Sequence, residues 1–299
     1  MANHKILYFE APDGISGDMV LGALIDLGAD ITAIRKELDK FVPGEYGLVP
    51  RPFERNGIHG VNLDVLVSEA ASGTSGAESG LGDLVHEFEF AEEDRNAPGL
   101  DDHVHEYQFL GSPAHTHEHT HRRHRDIKRM ISESGIAGRA KAYALAIFET
   151  IADAEAAVHK TDKELVAFHE VGAMDSIIDI VGTAIAIDLL GVSEFCCSAP
   201  HDGSGSIVCR HGIIPVPVPA VVEMAKGAGI PIIIESDVKT EMITPTGFGI
   251  IKGLGAKFEP RLGILPEKAG YGFGKRDTGR LGAVRVTLGE KYVEVEKEE

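Results

Sequence analysis

The hydrophobic pattern changes period several times along the chain, and each change marks an element. Lys-Ile-Leu-Tyr-Phe-Glu, Lys5 to Glu10, is an apolar run of the length of a short buried strand. Ala-Pro-Asp-Gly-Ile-Ser-Gly-Asp, from Ala11 to Asp18, is punctuated by glycine and reads as a loop. Met19, Leu21, Leu24 and Ile25 then recur at helical spacing as far as Leu27, and Gly28 supplies the stop. The same period predicts a second helix over Ile31 to Phe41, followed by strand-type segments near Tyr46 to Phe53 and Val61 to Val67. Helical spacing resumes at Asp126 and runs through Ala140 to Lys160, where Ala144, Ile147, Ile151, Ala154 and Val158 form one stripe.

Gly172 breaks the next segment, so a further helix starts at Ala173 and carries Met174, Ile177, Ile178, Val181, Ile185 and Leu189. Ser206 to Arg210 reads as a strand, Pro215 to Pro219 as an extended stretch opening a helix at Pro219, and Ile232 to Glu235 as a strand. Thr244 has the character of an N-cap, with Pro245 at the first helical position. Gly270 to Gly274 reads as a flexible loop and Ala283 to Leu288 as a late strand. Strands alternating with helices predict an α/β fold, a mixed sheet with packed helices.

One region breaks the pattern. From Ser68 to Leu100 the residues are small, polar and acidic, and they lead into the histidine-rich stretch Asp101 to His124. The expected organisation is therefore one α/β domain made of residues 1–67 and 125–290. A flexible Gly/Ser/acidic and His-rich insertion occupies 68–124, and a charged tail 291–299.

Charge and composition narrow the function classes. The 299 residues carry a formal net charge of −18, which disfavours nucleic acid and anionic membrane as partners. The longest apolar run, Ile177 to Leu190, contains Asp179 and Asp188 and is no membrane span. The N-terminal Met-Ala-Asn-His-Lys runs into a strand with no signal-peptide core behind it, and three cysteines make no disulfide framework. A soluble cytoplasmic protein is the expectation, with Cys196 and Cys197 as core residues.

Three constellations carry candidate chemistry. His103, His105, His115, His117, His119, His121 and His124 offer many imidazoles in a flexible chain, which suits capture of nickel, zinc or copper(II); a merely solvated tract is the alternative. His169 and Glu170 precede a helix on which Asp175 and Asp179 lie one turn apart, a set able to hold one divalent ion at a catalytic site. The alternative is that Asp175 only favours a helix N-terminus while Asp179 bonds a neighbouring loop. Asp13, Gly14, Ser16, Gly17 and Asp18 open one helix, and Thr244, Thr246 and Gly247 open another. Either start could cradle a phosphate, or be an ordinary capped turn. Cys209-Arg210-His211 places a thiol and an imidazole at a hairpin, a weak signal alone.

Taken in order, Tyr8 to Met19, the His-rich insertion, Phe168 to Gly182, His211 to Pro219 and Thr244 to Gly247 resemble the LarC family of nickel-insertion proteins. The resemblance covers nearly the whole chain. It implies a nickel chelatase of the lyase class that inserts nickel into pyridinium-3,5-bisthiocarboxylic acid mononucleotide, forming nickel–sulfur bonds and a nickel–carbon bond. The product is the nickel-pincer nucleotide of lactate racemase. Nickel, and CTP with magnesium or manganese, are the implied cofactors. The implied partners are the sulfur-bearing mononucleotide, a C-terminal CTP-binding domain, lactate racemase and a second copy of the chain.

Two departures qualify what is expected. Full-length members have a further C-terminal domain that binds CTP, whereas this chain resembles the N-terminal portion, so CTP cleavage by it alone is not expected. Glu10 also stands where the family pattern has Asp, one methylene longer. A nickel storage or delivery chaperone and a divalent-metal hydrolase are the competing readings.

Overall fold

The computed structural model describes residues 5–44, 46–67, 122–168, 171–209 and 211–292. The first part of the chain forms β1 (Lys5–Glu10), α1 (Gly17–Leu27), α2 (Ile31–Leu38), β2 (Tyr46–Arg55) and β3 (Ile58–Val67). Three helices follow, α3 (His124–Glu133), α4 (Gly138–His159) and α5 (Met174–Leu190). Next come β4 (Glu194–Cys197), β5 (His201–Asp202), β6 (Ser206–Cys209), β7 (Gly212–Pro215), α6 (Pro219–Ala225) and β8 (Ile233–Ile234). The chain closes with α7 (Pro245–Gly253), β9 (Lys257–Phe258), β10 (Gly263–Phe273) and β11 (Ala283–Tyr292).

Seven strands form one mixed sheet in the order β2-β3-β10-β11-β1-β4-β9. β1 runs antiparallel to β11 and parallel to β4, and β10 runs parallel to β3. Leu7 and Phe9 of β1 enter the core with Val284, Val286 and Leu288 of β11. On the other face Glu10 pairs with Arg285, its register partner on β11. The extra methylene of Glu10 is thus spent on a cross-strand ion pair. Helix α1 lies on the sheet against β3, β10 and β11; α5 packs behind α1, and α4 behind α5, where it also meets α6 and α7. The α/β architecture with a mixed sheet and packed helices is the one the pattern predicts.

The sequence reading placed no strand at β4, β5, β7 or β9, and it departs from the structure elsewhere. Gly270 to Gly274 is not a flexible loop: Gly270 and Gly272 lie within β10. A Cβ at Gly272 would come within 1.8 Å of the Met19 carbonyl, and one at Gly270 within 2.3 Å of that of Ala23. Those glycines let α1 rest its backbone directly on the strand. The helical stretch after Asp126 is two helices, separated where Ser134 turns extended (ψ 164°) ahead of Gly135. Helix α3 begins at His124, so the core reaches into the stretch assigned to the insertion. At the other end β11 continues through Tyr292, inside the predicted charged tail. Among the described residues no helix is long and apolar enough to cross a membrane.

Candidate functional site

The loop after β1 is held against the segment before α7. Ile15 donates its N–H to the Met242 carbonyl (2.9 Å), and its own carbonyl accepts from the Thr244 N–H (3.0 Å). Gly14 has φ +92°, and a Cβ there would lie 2.2 Å from the Met242 oxygen. At Gly247 a Cβ would lie 2.2 Å from the Ile15 oxygen, and at Gly17 it would lie 2.9 Å from Asp179 Cβ. The starts of α1 and α7, and one face of α5, therefore meet in a single junction. The two separate phosphate cradles of the sequence reading are neighbours in space.

Each helix start is largely occupied by its own side chains. Thr244 Oγ1 accepts from the Gly247 N–H (3.1 Å) and lies 2.8 Å from Thr246 Oγ1, an N-cap of the predicted kind. Asp18 Oδ1 accepts from the Met19 N–H (3.0 Å) and from the Ser16 hydroxyl. Asp13 accepts from the Gly282 N–H (3.3 Å), tying the loop to the approach of β11.

Lys275 reaches this place from the far end of the sequence. Its Nζ lies 3.7 Å from Asp18 Oδ2 and 3.3 Å from Asp64 Oδ1. Partial burial pushes the ammonium pKa down, but Asp18 and Asp64 outweigh it, leaving the lysine more firmly protonated than usual.

Asp175 and Asp179 share a helix but not an environment. Asp175 is exposed in the first turn of α5 and accepts from the Ser176 N–H (2.8 Å). Asp179 is half-buried against Gly17, and its Oδ1 is shielded from solvent with no hydrogen-bond partner among the described residues. Burial, and then Asp18 and Asp175, push its carboxyl well above the usual range. Only one of the two carboxyls has an oxygen shielded from solvent, and its surroundings disfavour the anion.

Beside the junction lies a cavity of about 250 Å³. Glu155, Val158 and His159 of α4 form one wall, His211 and Ile214 of the β6–β7 hairpin another. Val218 to Ala220 at the start of α6, Val171, and Pro245 of α7 complete it. The His159 and His211 rings stand 5.1 Å apart at 32°, and His159 Nε2 is 3.4 Å from Glu155 Oε2. Cys209 Sγ lies 3.9 Å from His211 Nδ1. Val171, His211 and Pro245, distant in sequence, thus converge on one hollow.

The sequence model of the nickel insertion proteins matches residues 7–299. The chain belongs to that family. It is 41% identical over 285 residues to the pyridinium-3,5-bisthiocarboxylic acid mononucleotide nickel insertion protein of Acetivibrio thermocellus, covering 95% of this chain and 60% of that one. The protein of the same name from Lactiplantibacillus plantarum is 42% identical over 288 residues, 96% of this chain and 62% of its own. The putative nickel insertion protein of Dictyoglomus thermophilum is 33% identical over 294 residues, 98% and 63%. The chain spans about three fifths of the length of these relatives. No solved structure matches it.

Within this chain, His103, His105, His115, His117, His119 and His121 lie outside the described residues, as do His169 and Glu170. His124 is described, and it is buried at the first position of α3. Its ring packs edge-on to Phe168, with Glu149 at 3.6 Å and Glu164 at 4.0 Å. Burial lowers its pKa, against the pull of those two carboxylates. It belongs to the core, not to an accessible tract.

Two groups were missed. His159 stands at i+4 from Glu155, a pairing that helical spacing alone could have flagged. His201 Nδ1 is 2.6 Å from Glu235 Oε1, and Arg280 holds the other Glu235 oxygen at 2.9 Å. The bond to His201 and then that to Arg280 lower the Glu235 pKa. No local signal joins these three residues, which come from strand β5 and two separate loops.

Proposed function

We propose that this chain inserts nickel into pyridinium-3,5-bisthiocarboxylic acid mononucleotide, making the nickel-pincer nucleotide used by lactate racemase. One observation carries the reading: family segments far apart in sequence surround a single cavity that adjoins two helix starts. The names of the relatives from Acetivibrio thermocellus and Lactiplantibacillus plantarum state that substrate.

In this reading the apolar walls of Val171, Val218 and Pro245 take the pyridinium ring. Ser16, Gly17 and Lys275 at the α1 start take the phosphate, which would draw Lys275 away from Asp18. His103 to His121 gather the metal, while His169, Glu170 and Asp175 stand at the reacting end. Asp179, protonated beneath Gly17, is the group able to give or take a proton there. CTP, with magnesium or manganese, is the co-substrate, and a C-terminal CTP-binding domain is the partner that handles it. Three unpaired cysteines suit a reducing, cytoplasmic setting.

The test is incubation with nickel and the bisthiocarboxylated nucleotide, followed by absorbance and mass. It is run alone, with CTP, and with CTP plus the C-terminal domain of a relative. Nucleotide that gains one nickel in any arm, and fails to do so with Asp179→Asn, is the expected result. Nickel bound but nucleotide unchanged in all three arms would make the chain a metal store instead.

A further inference from the structure

We propose that Cys209 and His211, at the turn of the β6–β7 hairpin, form an open two-donor site that holds nickel at the mouth of the cavity. The site rests on the insertase reading for its cargo, but its geometry stands apart from it. Metal–sulfur and metal–imidazole bonds of about 2.3 and 2.0 Å together span at most about 4.3 Å. The two atoms, 3.9 Å apart, can therefore share one ion with little movement of the turn. A thiolate with an imidazole is a donor pair of the softness that nickel accepts.

Surroundings support the assignment. His211 lines the cavity, so an ion held there faces the space assigned to the sulfur-bearing ring. The His159 ring lies alongside His211, itself held by Glu155, and acts as a positioning residue. Among the described residues no group of three or more His, Cys, Asp or Glu is arranged as a metal cage. Two protein donors leave positions open for the two thiocarboxylate sulfurs, which a closed site would exclude. A delivery site has to release its ion, and few donors favour release.

Cys209 is also the accessible thiol. Cys196 and Cys197 are buried, and burial pushes both pKa values up, that of Cys197 to about 12. As nickel binds, the Cys209 thiol gives its proton to solvent and the sulfur takes the metal, so binding releases a proton.

The test is titration of the reduced full chain with nickel, and with cobalt(II), read by the near-ultraviolet thiolate-to-metal charge-transfer band. Imidazoles give no such band, so His103 to His121 are silent in it however much metal they take. One equivalent of band is expected. It should vanish in Cys209→Ser, persist in Cys196→Ala, and need at least tenfold more metal in His211→Ala. Loss of His159 should weaken binding while the band keeps its shape. No band in the parent chain, or a band surviving Cys209→Ser, overturns the site even if insertion proceeds. A band without insertion leaves the site standing and counts against the insertase reading alone.

Discussion

The junction of α1, α5 and α7 and the hairpin beside it are built on opposite terms. In the junction three glycines are fixed by contact with backbone or with Asp179, Thr244 already caps α7, and Asp18 is already bonded to Ser16 and Met19. In the hairpin Val208 is 83% exposed and Ile213 74% exposed, and the turn between them carries Cys209 and His211 with room around them. One region positions backbone, and the other presents side chains at the surface. The contrast shows what the missing side chains of Gly14, Gly17 and Gly247 do in the fold: they serve the packing of the protein against itself.

The largest effect is expected from filling the junction. Gly14→Ala puts a Cβ on the Met242 carbonyl at φ +92°, and Gly247→Ala puts one on Ile15. Overpacking should cost about 1–3 kcal/mol at either position, and the left-handed backbone at Gly14 adds about 1–2 kcal/mol there. Chemical denaturation checks it, and a loss below about 1 kcal/mol would mean the junction is loose.

Asp179→Asn should behave differently. A carboxyl whose pKa is raised on folding stabilises least once the unfolded chain has ionised, so its contribution falls as pH rises above about 4. The Asn variant should therefore gain on the parent between pH 4 and pH 7 in urea midpoints. A pH-independent gap would show that Asp179 is not held protonated.

The histidines give the next comparison. His124, buried with a lowered pKa, contributes stability that is present above the unfolded value of about 6.5 and lost as pH falls below it. His124→Phe should flatten that acid limb in thermal scans at pH 7 and pH 5, while His211→Ala leaves it unchanged. Smallest of all, Cys209→Ser and Val208→Ser should move the unfolding free energy by no more than about 0.5 kcal/mol. A larger loss would make the hairpin part of the core.

Much of the fold was legible locally. The limits of β1, the stop at Gly28, the cap at Thr244 and the opening of α6 at Pro219 follow from short-range rules, because capping and φ preferences act over one or two turns. Where reading failed, at Gly270 to Gly274 and at His124, the deciding contact came from a residue far away. Met19 and Ala23 meet the glycines of β10, while Phe168 and Glu149 meet His124.

The sequence by itself determined the α/β class, the limits of several elements such as β1 and α1, and the family, through segments whose order and residue types are specific. Tertiary structure alone decided that Asp179 Oδ1 is shielded while Asp175 is exposed, that Lys275 stands beside Asp18, and that His159, His211 and Pro245 face one cavity. The reason is physical: periodicity reports which side of an element is apolar, but not which other element covers it. Charge, burial and donor distance belong to that second choice.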